Sequence, residues 1–250
     1  MNEVLFVGAG PGDPELITVK GQKAVMRADV VIYAGSLVPK EVLTWTKTGA
    51  ETINSAPLNL AQIIDHIRHA WKENKRVVRL HTGDPSLYGA IYEQMAELSK
   101  LSIPFSVIPG ITAAFAAAAS MGIEYTLPEI TQTLILTRMV GRTPVPELEN
   151  LQSLAAHQAS MAIYLSISLV EEVASVLAES YGEDAVCAVV YKVSQPEERI
   201  VYTSVGKLAQ TVGKEGIKSQ ALIIVSKALN TSLDEIKYKS RLYDRSFTHG

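Results

Sequence analysis

The stretch His81-Thr82-Gly83-Asp84-Pro85-Ser86-Leu87-Tyr88-Gly89 lies between two segments of different character. The residues before it, 76–80, form a short apolar run that predicts a buried β-strand. The residues after it, 90–98, have the spacing of a helix. A Gly-Asp-Pro turn therefore connects the carboxyl end of a strand to a helix, and open α/β sheets bind their ligands at such turns. The alternative is an ordinary connecting turn in which Asp84 caps the helix.

Apolar runs that are typical of strands alternate with segments of helical periodicity along the chain. The predicted strands are 4–7, 29–33, 51–53, 77–81, 103–108, 133–137, 161–165, 185–191, 198–203 and 221–225. The predicted helices are 16–28, 39–47, 59–74, 90–98, 111–123, 147–157, 170–180 and 205–212. This alternation predicts an α/β fold with mainly parallel sheets, divided into an N-terminal domain (1–120) and a C-terminal domain (121–250).

The composition of the 250-residue chain is typical of a globular protein, with 47% hydrophobic and 20% charged residues. The formal net charge of −3 provides no general basic field for nucleic acid or an anionic membrane. Cys187 is the only cysteine, so the chain can form no internal disulfide, which suits a reducing cytoplasm. The first residues lack the pattern of a signal peptide, and no apolar run reaches the length of a membrane span. We therefore expect a cytoplasmic protein with no nucleic-acid or membrane partner.

A glycine-rich stretch, Gly8-Ala9-Gly10-Pro11-Gly12-Asp13-Pro14, follows the first predicted strand. Its spacing is close to a dinucleotide fingerprint, but that pattern requires glycine or alanine where this chain has Asp13. A carboxylate there would repel a pyrophosphate, and the two prolines lack the N–H groups that cradle phosphate. The stretch therefore favours a different ligand, or a role in shaping a cleft, over a nicotinamide dinucleotide.

The sequence contains no evident pair of nucleophile and general base, no Walker loop and no Gly-x-Ser-x-Gly elbow. This favours chemistry that is carried by a cofactor and by positioning. His81 ends a strand beside the Gly-Asp-Pro turn, where it is either a site residue or a polar strand end. Four basic residues are candidates for receiving substrate carboxylates: Arg138, Arg142, Lys192 and Arg199. Solvated surface charge is the alternative for each of them.

Three motifs, in this order, resemble the tetrapyrrole (corrin/porphyrin) methylases, which use S-adenosylmethionine. They are the stretch 7–16, Gly83-Asp84-Pro85, and Pro109-Gly110-Ile111-Thr112-Ala113. Further stretches resemble the precorrin-4 C11-methyltransferase branch, including its cobalt-precorrin-4 form: residues 33–38, 81–89, 141–146, 194–198 and 240–249. Each motif alone is weak, but their order and number, over essentially the whole chain, are specific.

The resemblance implies the tetrapyrrole methylase fold (class III methyltransferase), usually a homodimer, with S-adenosylmethionine folded into the cleft between the two domains. It places cofactor contacts at Pro11, Thr82, Gly83, Asp84, Leu87, Thr112, Ala113, Leu165, Tyr191, Val193 and Ala221. The contact near residues 191–193 is expected through the backbone. Leu165 stands where relatives carry methionine, and a hydrophobic side chain of similar volume should serve there.

The resemblance also implies the reaction, which is methyl transfer from S-adenosylmethionine to C11 of precorrin-4 or cobalt-precorrin-4 in cobalamin biosynthesis. S-adenosylhomocysteine would be the product. The sulfonium is a strong electrophile and the ring carbon is electron-rich, so positioning should carry catalysis; we assign no catalytic residue and no metal ligand. Because the substrate carries many carboxylates, substrate contacts are expected at Ser36, His81, Arg138, Arg142 and Lys192.

Alternatives stay open on the sequence alone. The first alternative is a corrin-pathway methylase that acts on uroporphyrinogen III or on another precorrin. Thr82 argues against uroporphyrinogen III, because relatives with that substrate have glycine at this position. A diphthine synthase or a ribosomal RNA methylase of the same fold is another, but the acidic net charge disfavours RNA and the 141–146 stretch disfavours both. The third is a non-catalytic protein that binds a tetrapyrrole or a nucleotide. The presence of cobalt in the substrate is a further open point.

Overall fold

The computed structural model describes residues 3–231, 239 and 240 of the chain. It divides into two compact units, Met1–Ala116 and Ala117–Gly250. This division and the predicted boundary after residue 120 both fall within one helix, Ala113–Met121. Of the predicted tail motif at 240–249, residues 241–249 lie outside the described residues.

The first unit is an α/β layer structure built on a five-stranded parallel sheet in the order β3-β2-β4-β1-β5. Its strands are β1 (Val4–Gly8), β2 (Val30–Tyr33), β3 (Glu51–Asn54), β4 (Val77–His81) and β5 (Phe105–Ile108). Its helices are α1 (Val19–Arg27), α2 (Lys40–Leu43), α3 (Leu60–Lys72), α4 (Tyr92–Lys100) and α5 (Ala113–Met121), the last of which continues into the second unit. The parallel arrangement predicted from the alternating pattern is confirmed for this unit.

Helices cover both faces of the first sheet, which explains why its strands read as continuous apolar runs. Val25 of α1 packs with Val7 and Leu80 on one face. On the other face, Ile67 of α3 packs with Phe6 and the neighbouring strands. A capping box begins α3. The Asn59 side chain accepts a hydrogen bond from the Gln62 N–H, and the Gln62 side chain accepts one from the Asn59 N–H.

Strand order in this unit determines where the loops lie. β4, β1 and β5 are consecutive neighbours and run in the same direction, with Gly8 beside His81 and Val7 beside Ile108. The loops that follow these three strands, at residues 9–13, 82–91 and 109–112, therefore leave from the same edge of the sheet. This is the edge at which open parallel sheets bind ligands.

The second unit is also α/β and has a five-stranded sheet, in the order β6-β7-β10-β8-β9. Its strands are β6 (Leu134–Arg138), β7 (Ser160–Tyr164), β8 (Val186–Tyr191), β9 (Arg199–Ser204) and β10 (Ala221–Val225). Its helices are α6 (Leu151–Ala155), α7 (Val170–Tyr181) and α8 (Leu208–Lys214), with a 3-10 turn at Glu147–Glu149 in place of the first part of the predicted 147–157 helix.

The second sheet is mixed, which corrects the expectation of mainly parallel pairing for this half. Among its described strands only β6 and β7 pair in parallel, whereas β10 pairs antiparallel with both β7 and β8, and β8 pairs antiparallel with β9. The connection from β8 to β9, residues 192–198, is too short for the crossover that parallel neighbours need, so these strands form a hairpin. The chain then crosses over β8 through α8 and inserts β10 between β7 and β8.

The core of the second unit is apolar and contains the one thiol of the chain. Met161, Val189 and Ile223 pack beneath Leu177 of α7. Cys187 is fully buried on β8 among them, and burial raises the pKa of its thiol to about 12. Within the described residues, no helix combines the length and the apolar character needed to cross a bilayer.

Candidate functional site

Two glycine-containing loops of the first unit are bonded to one another where they leave the sheet. The Gly83 N–H donates a 2.7 Å hydrogen bond to the Gly10 carbonyl, and the Gly10 N–H donates one of 3.3 Å to the Gly83 carbonyl. The Ala9 N–H also donates to the carbonyl of His81, at 2.7 Å. The loops after β1 and β4 therefore stay hydrogen-bonded to each other for a short distance beyond the ends of their strands.

Glycine is required at this edge because three backbone segments approach closely. A Cβ on Gly110 would lie 2.1 Å from the Gly83 carbonyl oxygen, and one on Gly8 would lie 2.6 Å from the same oxygen. Neither space admits a side chain. Gly83 itself has φ of +61°, and a Cβ built on it would find its nearest described neighbours 3.9 Å away, at Ile111 and Thr112. The space beside Gly83, toward the 109–112 loop, is therefore one that a Cβ would fill at ordinary van der Waals distances.

Asp84 connects the second and third loops. Its Oδ2 accepts a 2.8 Å hydrogen bond from the Gly110 N–H, while its Oδ1 accepts bonds from the Ser86 N–H at 2.8 Å and from the Ser86 hydroxyl. Burial raises the pKa of the Asp84 carboxyl, but the hydrogen bonds from Ser86 and Gly110 outweigh it and hold the pKa below its ordinary value. Asp84 is thus an ionised residue that builds the site by fixing two loops.

The other cofactor positions predicted in the first unit lie on these same loops. Pro11 is buried in the loop after β1, and Thr82 and Leu87 are half-buried in the loop after β4. Thr112 is buried and its carbonyl accepts hydrogen bonds in the first turn of α5, which begins at Ala113. The structure therefore places six of the seven predicted cofactor residues of this unit on three adjacent loops, and the seventh, Ala113, at the start of the helix that follows the third loop.

The loop after β4 is tightly wound beyond the Gly-Asp-Pro turn. A Cβ on Gly89 would lie 2.1 Å from the Pro85 carbonyl oxygen. The residues on either side of this glycine, Tyr88 and Ala90, have left-handed backbone conformations with φ of 55° and 48°. Such conformations are unfavourable for residues other than glycine and persist only when surrounding contacts enforce them. This loop is consequently a strained element.

His81 is placed beside the predicted site but not exposed in it. Only 4% of its surface is accessible, its Nε2 has no hydrogen-bond partner among the described residues, and its ring centroid lies 6.0 Å from that of Phe6. Burial and, to a smaller extent, the positive charge of Arg79 lower the pKa of His81 to about 3. A neutral, enclosed imidazole is a poor ligand for a substrate carboxylate, so the expected direct contact is not favoured by this placement.

The second unit gathers its own set of predicted cofactor residues at one edge of its sheet. Ala221, the first residue of β10, pairs with Tyr191, the last residue of β8. Ile223 pairs with Ile163 on β7, and Leu165 directly follows the end of that strand at Tyr164. Leu165 is 70% exposed and has φ of 52°, an unusual conformation for a leucine that presents its side chain to solvent.

Lys192 and its neighbours form a charged cluster at the same edge. The Lys192 ammonium lies 3.2 Å from a carboxylate oxygen of Glu197, and their hydrogen bond raises the pKa of Lys192 and lowers that of Glu197. Lys192 and Arg199 both lie against the ring of Tyr191, at 5.6 Å and 4.9 Å from its centroid. The next residue, Val193, is buried.

The two arginines predicted to bind substrate have different environments. Arg138, at the end of β6, donates hydrogen bonds to the carbonyls of Thr143 at 3.0 Å and Pro144 at 2.9 Å, so it shapes the loop that follows. Arg142 lies on that loop and is exposed, with no ion pair among the described residues. Arg199 pairs with Glu215 at 3.0 Å. Arg142 is therefore the better candidate for receiving a carboxylate from outside.

Ser36 lies in a 3-10 turn, Gly35–Leu37, that follows β2. Because β2 is the neighbour of β4 and runs parallel to it, this turn lies at the same sheet edge as the 82–91 loop. The backbone position of Ser36 is therefore consistent with a place at the site.

Sequence reasoning missed two buried polar residues, Arg79 and Gln94, which contact one another beneath the 82–91 loop at 3.1 Å. The signal was available in principle, because an arginine within a strand that is otherwise apolar needs internal partners. It also missed Tyr92, whose side chain is 79% exposed at the start of α4. An exposed aromatic residue next to a ligand-binding loop is a candidate contact for a flat ring system.

Comparison with known proteins agrees with this geometry. The sequence profile described as Tetrapyrrole (Corrin/Porphyrin) Methylases matches residues 3–209. The chain is 53% identical to a cobalt-precorrin-4 C(11)-methyltransferase of Methanocaldococcus jannaschii, covering 99% of this chain and 95% of that one.

Two solved structures share the fold. The X-ray structure of a cobalamin biosynthetic enzyme, cobalt-precorrin-4 methyltransferase, has a TM-score of 0.89 and 44% identity, covering 92% of this chain and 96% of the other. A uroporphyrin-III C-methyltransferase of Thermus thermophilus, complexed with S-adenosylhomocysteine, has a TM-score of 0.76 and 26% identity, covering 92% and 94%. The chain belongs to the tetrapyrrole (corrin/porphyrin) methylase family.

Proposed function

We propose that this protein is an S-adenosylmethionine-dependent methyltransferase that acts on C11 of precorrin-4, in its cobalt-bearing or its metal-free form, in cobalamin biosynthesis. The observation that carries the proposal is the 53% identity to a cobalt-precorrin-4 C(11)-methyltransferase over 99% of this chain. The loops of both units support it, because the residues expected to bind the cofactor lie at ligand-binding sheet edges.

The described residues fit S-adenosylmethionine on two grounds. Gly83 has no side chain, and a Cβ there would fill a space bounded by Ile111 and Thr112 at 3.9 Å, which is a cradle for a group that approaches the backbone. Leu165 is held in a strained conformation that exposes an apolar side chain, as a wall for an adenosyl or methionyl group requires. When bound, S-adenosylmethionine would supply a methyl group on a positively charged sulfur.

The residues that would hold the cofactor in the first unit are Pro11, Thr82, Gly83, Leu87 and Thr112. In the second unit they are Leu165, Ala221 and the backbone at 191–193. Asp84 contributes indirectly, since its carboxylate is occupied with Ser86 and Gly110. The main task of these residues is to hold the reactants in line and exclude water, which is worth up to roughly 7–11 kcal/mol of the barrier.

A polycarboxylate substrate would be oriented by the cationic residues of the second unit. Arg142 is exposed on the loop after β6, and Lys192 keeps its positive charge because its pKa is raised. Arg138 acts by holding the Arg142 loop through the carbonyls of Thr143 and Pro144. In the first unit, Ser36 is the proposed substrate contact, since its turn lies at the same sheet edge as the 82–91 loop.

The test is turnover of methyl-labelled S-adenosylmethionine with cobalt-precorrin-4, with metal-free precorrin-4 and with uroporphyrinogen III as acceptors. We expect label at C11 of a precorrin-4 substrate and none in uroporphyrinogen III. The similarity to two proteins named for the cobalt-bearing substrate favours the cobalt form as the better acceptor. Tight binding of the tetrapyrrole without turnover would identify a binding protein instead of an enzyme.

We also propose that the chain functions as a homodimer in the cytoplasm. Membership of a family whose members are usually dimeric supports the first part, and a buried free thiol that is compatible with a reducing compartment supports the second. Light scattering coupled to gel filtration should give twice the mass of the chain. Cell fractionation should recover the protein with cytoplasmic markers.

A further inference from the structure

Arg79 is a buried positive charge in the interior of the first unit. Its side chain is 5% exposed, and burial lowers its pKa to about 10. Within the described part of the chain, its hydrogen bonds go to neutral acceptors: the Gln94 amide oxygen at 3.1 Å, and the carbonyls of Ile32 at 3.1 Å and Leu80 at 3.3 Å. Enclosing a cation among neutral partners is costly, so packing alone does not account for an arginine at this position.

Gln94 connects Arg79 by hydrogen bonds to the loop at the surface. Its side chain is also 5% exposed, its oxygen accepts from Arg79 Nε, and its amide nitrogen donates a 2.9 Å hydrogen bond to the Ala90 carbonyl. The two partners fix the orientation of the amide, because Arg79 can only donate and the carbonyl can only accept. The guanidinium therefore determines which group Gln94 presents to the loop above it.

The residue that Gln94 contacts, Ala90, lies in the strained part of the 82–91 loop. Ala90 has φ of 48° and is itself exposed, so packing around its methyl group does not hold it in place. Tyr88 has φ of 55°, and Gly89 between them has no room for a Cβ. The hydrogen bond from Gln94 is thus a contact from the protein interior at a position where the backbone conformation is unfavourable.

We propose that Arg79 and Gln94 are positioning residues that hold the 82–91 loop in its binding conformation through the Ala90 carbonyl. The part of this proposal that concerns the cofactor rests on the proposed function, because Thr82, Gly83 and Leu87 are the loop residues expected to contact S-adenosylmethionine. The part that concerns the loop itself depends only on the contacts described above.

The experiment compares Gln94→Glu and Gln94→Met with the wild-type protein, in the full-length chain. The glutamate variant keeps an acceptor for Arg79 but presents no donor to Ala90, whereas the methionine variant removes both contacts at similar length. Gln22→Glu on α1 is the control for the change of charge. Amide hydrogen exchange reports on the loop without any ligand, and calorimetric titration with S-adenosylhomocysteine reports on binding.

In Gln94→Glu we expect amides of residues 86–91 to exchange about tenfold faster, while amides of β4 and β1 exchange as in the wild type. Affinity for S-adenosylhomocysteine should fall by about tenfold, and by at least as much in Gln94→Met. Adding Ala90→Asn to Gln94→Glu should restore part of the affinity, because asparagine tolerates the left-handed conformation better than alanine.

Unchanged loop exchange in Gln94→Glu, or equal acceleration in loop and strands, would overturn the proposal. A faster loop with unchanged affinity would also overturn it, since the loop conformation would then not matter for binding. If the wild-type protein itself does not bind S-adenosylhomocysteine, the proposed function fails, and the exchange data still decide whether Gln94 holds the loop.

Discussion

The Asp84 carboxylate accepts a 2.8 Å hydrogen bond from the backbone N–H of Gly110, 26 residues further along the chain. This bond joins the loops that follow two strands separated by β1 in the sheet. Because the same carboxylate also accepts from Ser86, one side chain sets the spacing of the 82–91 and 109–112 loops. This one ionised group therefore links two of the three loops at the ligand-binding edge of the first unit.

Replacing Asp84 with asparagine should damage both stability and binding. An amide has only one acceptor oxygen, so either Ser86 or Gly110 faces an N–H₂ group and loses its bond. We expect the free energy of unfolding to fall by about 1–3 kcal/mol, and S-adenosylhomocysteine affinity to fall by about tenfold. Denaturant titration and calorimetry measure these quantities. Asp65→Asn is the matched control, because its exposed pair with Arg68 should contribute less than about 1 kcal/mol.

Gly110→Ala should be among the most destabilising substitutions in the chain. The added methyl group would lie 2.1 Å from the Gly83 carbonyl oxygen and 2.8 Å from the Gly8 Cα, and backbone atoms cannot move away as a flexible side chain can. We expect a loss of more than about 3 kcal/mol in the free energy of unfolding. Gly213→Ala within α8 meets no heavy atom of the described residues within 4 Å of the new Cβ, and should leave stability equal or higher. Similar losses in the two variants would contradict the close approach.

Arg142→Ala and Arg138→Ala should separate substrate contact from loop support. Arg142 is exposed and makes no ion pair with the described residues, so its removal should raise the KM for the tetrapyrrole by about tenfold with cofactor affinity unchanged. Arg138 holds two loop carbonyls, so its removal should also increase proteolytic cleavage between residues 139 and 146. Equal loss of cofactor and substrate affinity in Arg142→Ala would refute its assignment.

The buried His81 should make the stability of the protein depend on pH. In the unfolded chain it takes up a proton near its ordinary pKa of 6.5, whereas in the folded protein its pKa is about 3. Between these values the unfolded state binds more protons, so the free energy of unfolding decreases as the pH falls. The contribution approaches about 1.4 kcal/mol per pH unit below pH 6. His81→Gln should lack it, so urea titrations at several pH values between 7.5 and 5 should diverge; parallel curves would be the contrary result.

Leu165→Gly should reduce binding without reducing stability. Glycine adopts the left-handed conformation freely, and the leucine side chain is mostly exposed, so the free energy of unfolding should stay equal or rise by up to about 1 kcal/mol. Affinity for S-adenosylhomocysteine should fall several-fold, since an apolar wall is removed. Ser102→Gly, at φ of 55° just beyond α4, is the control in which binding should not change. A loss of stability in Leu165→Gly would show that the leucine serves packing.

Much of the fold could be predicted from the sequence, because the signals concerned are local. Apolar runs such as 4–7 and amphipathic segments such as 59–74 reflect burial on one or two faces, and each proved to be an element of the predicted type. The insertion of β10 between β7 and β8 could not be read in the same way. It depends on pairing between strands that are distant in the sequence, and an isolated apolar run does not reveal the direction of its partner.

The turns of the candidate site could be predicted in the same local way. The Gly-Asp-Pro turn and the Pro-Gly stretch at 109–110 were recognisable, because glycine and proline mark turns. That Asp84 is bonded to Gly110, and that His81 is enclosed, follows only from how the loops and side chains pack in three dimensions. Arg79 and Gln94 were missed for the same reason, since their contacts join a strand, a helix and a loop.

Cys187 gives this chain a practical property. The one thiol is fully buried, and its raised pKa leaves almost no thiolate at neutral pH, so maleimides and iodoacetamides should not react with the folded protein. A cysteine introduced in place of the exposed Glu93 would then be the one reactive thiol, and a fluorophore could be attached there without removing the natural one. Dye emission at the head of α4 would report loop rearrangements in real time, in an otherwise unaltered protein.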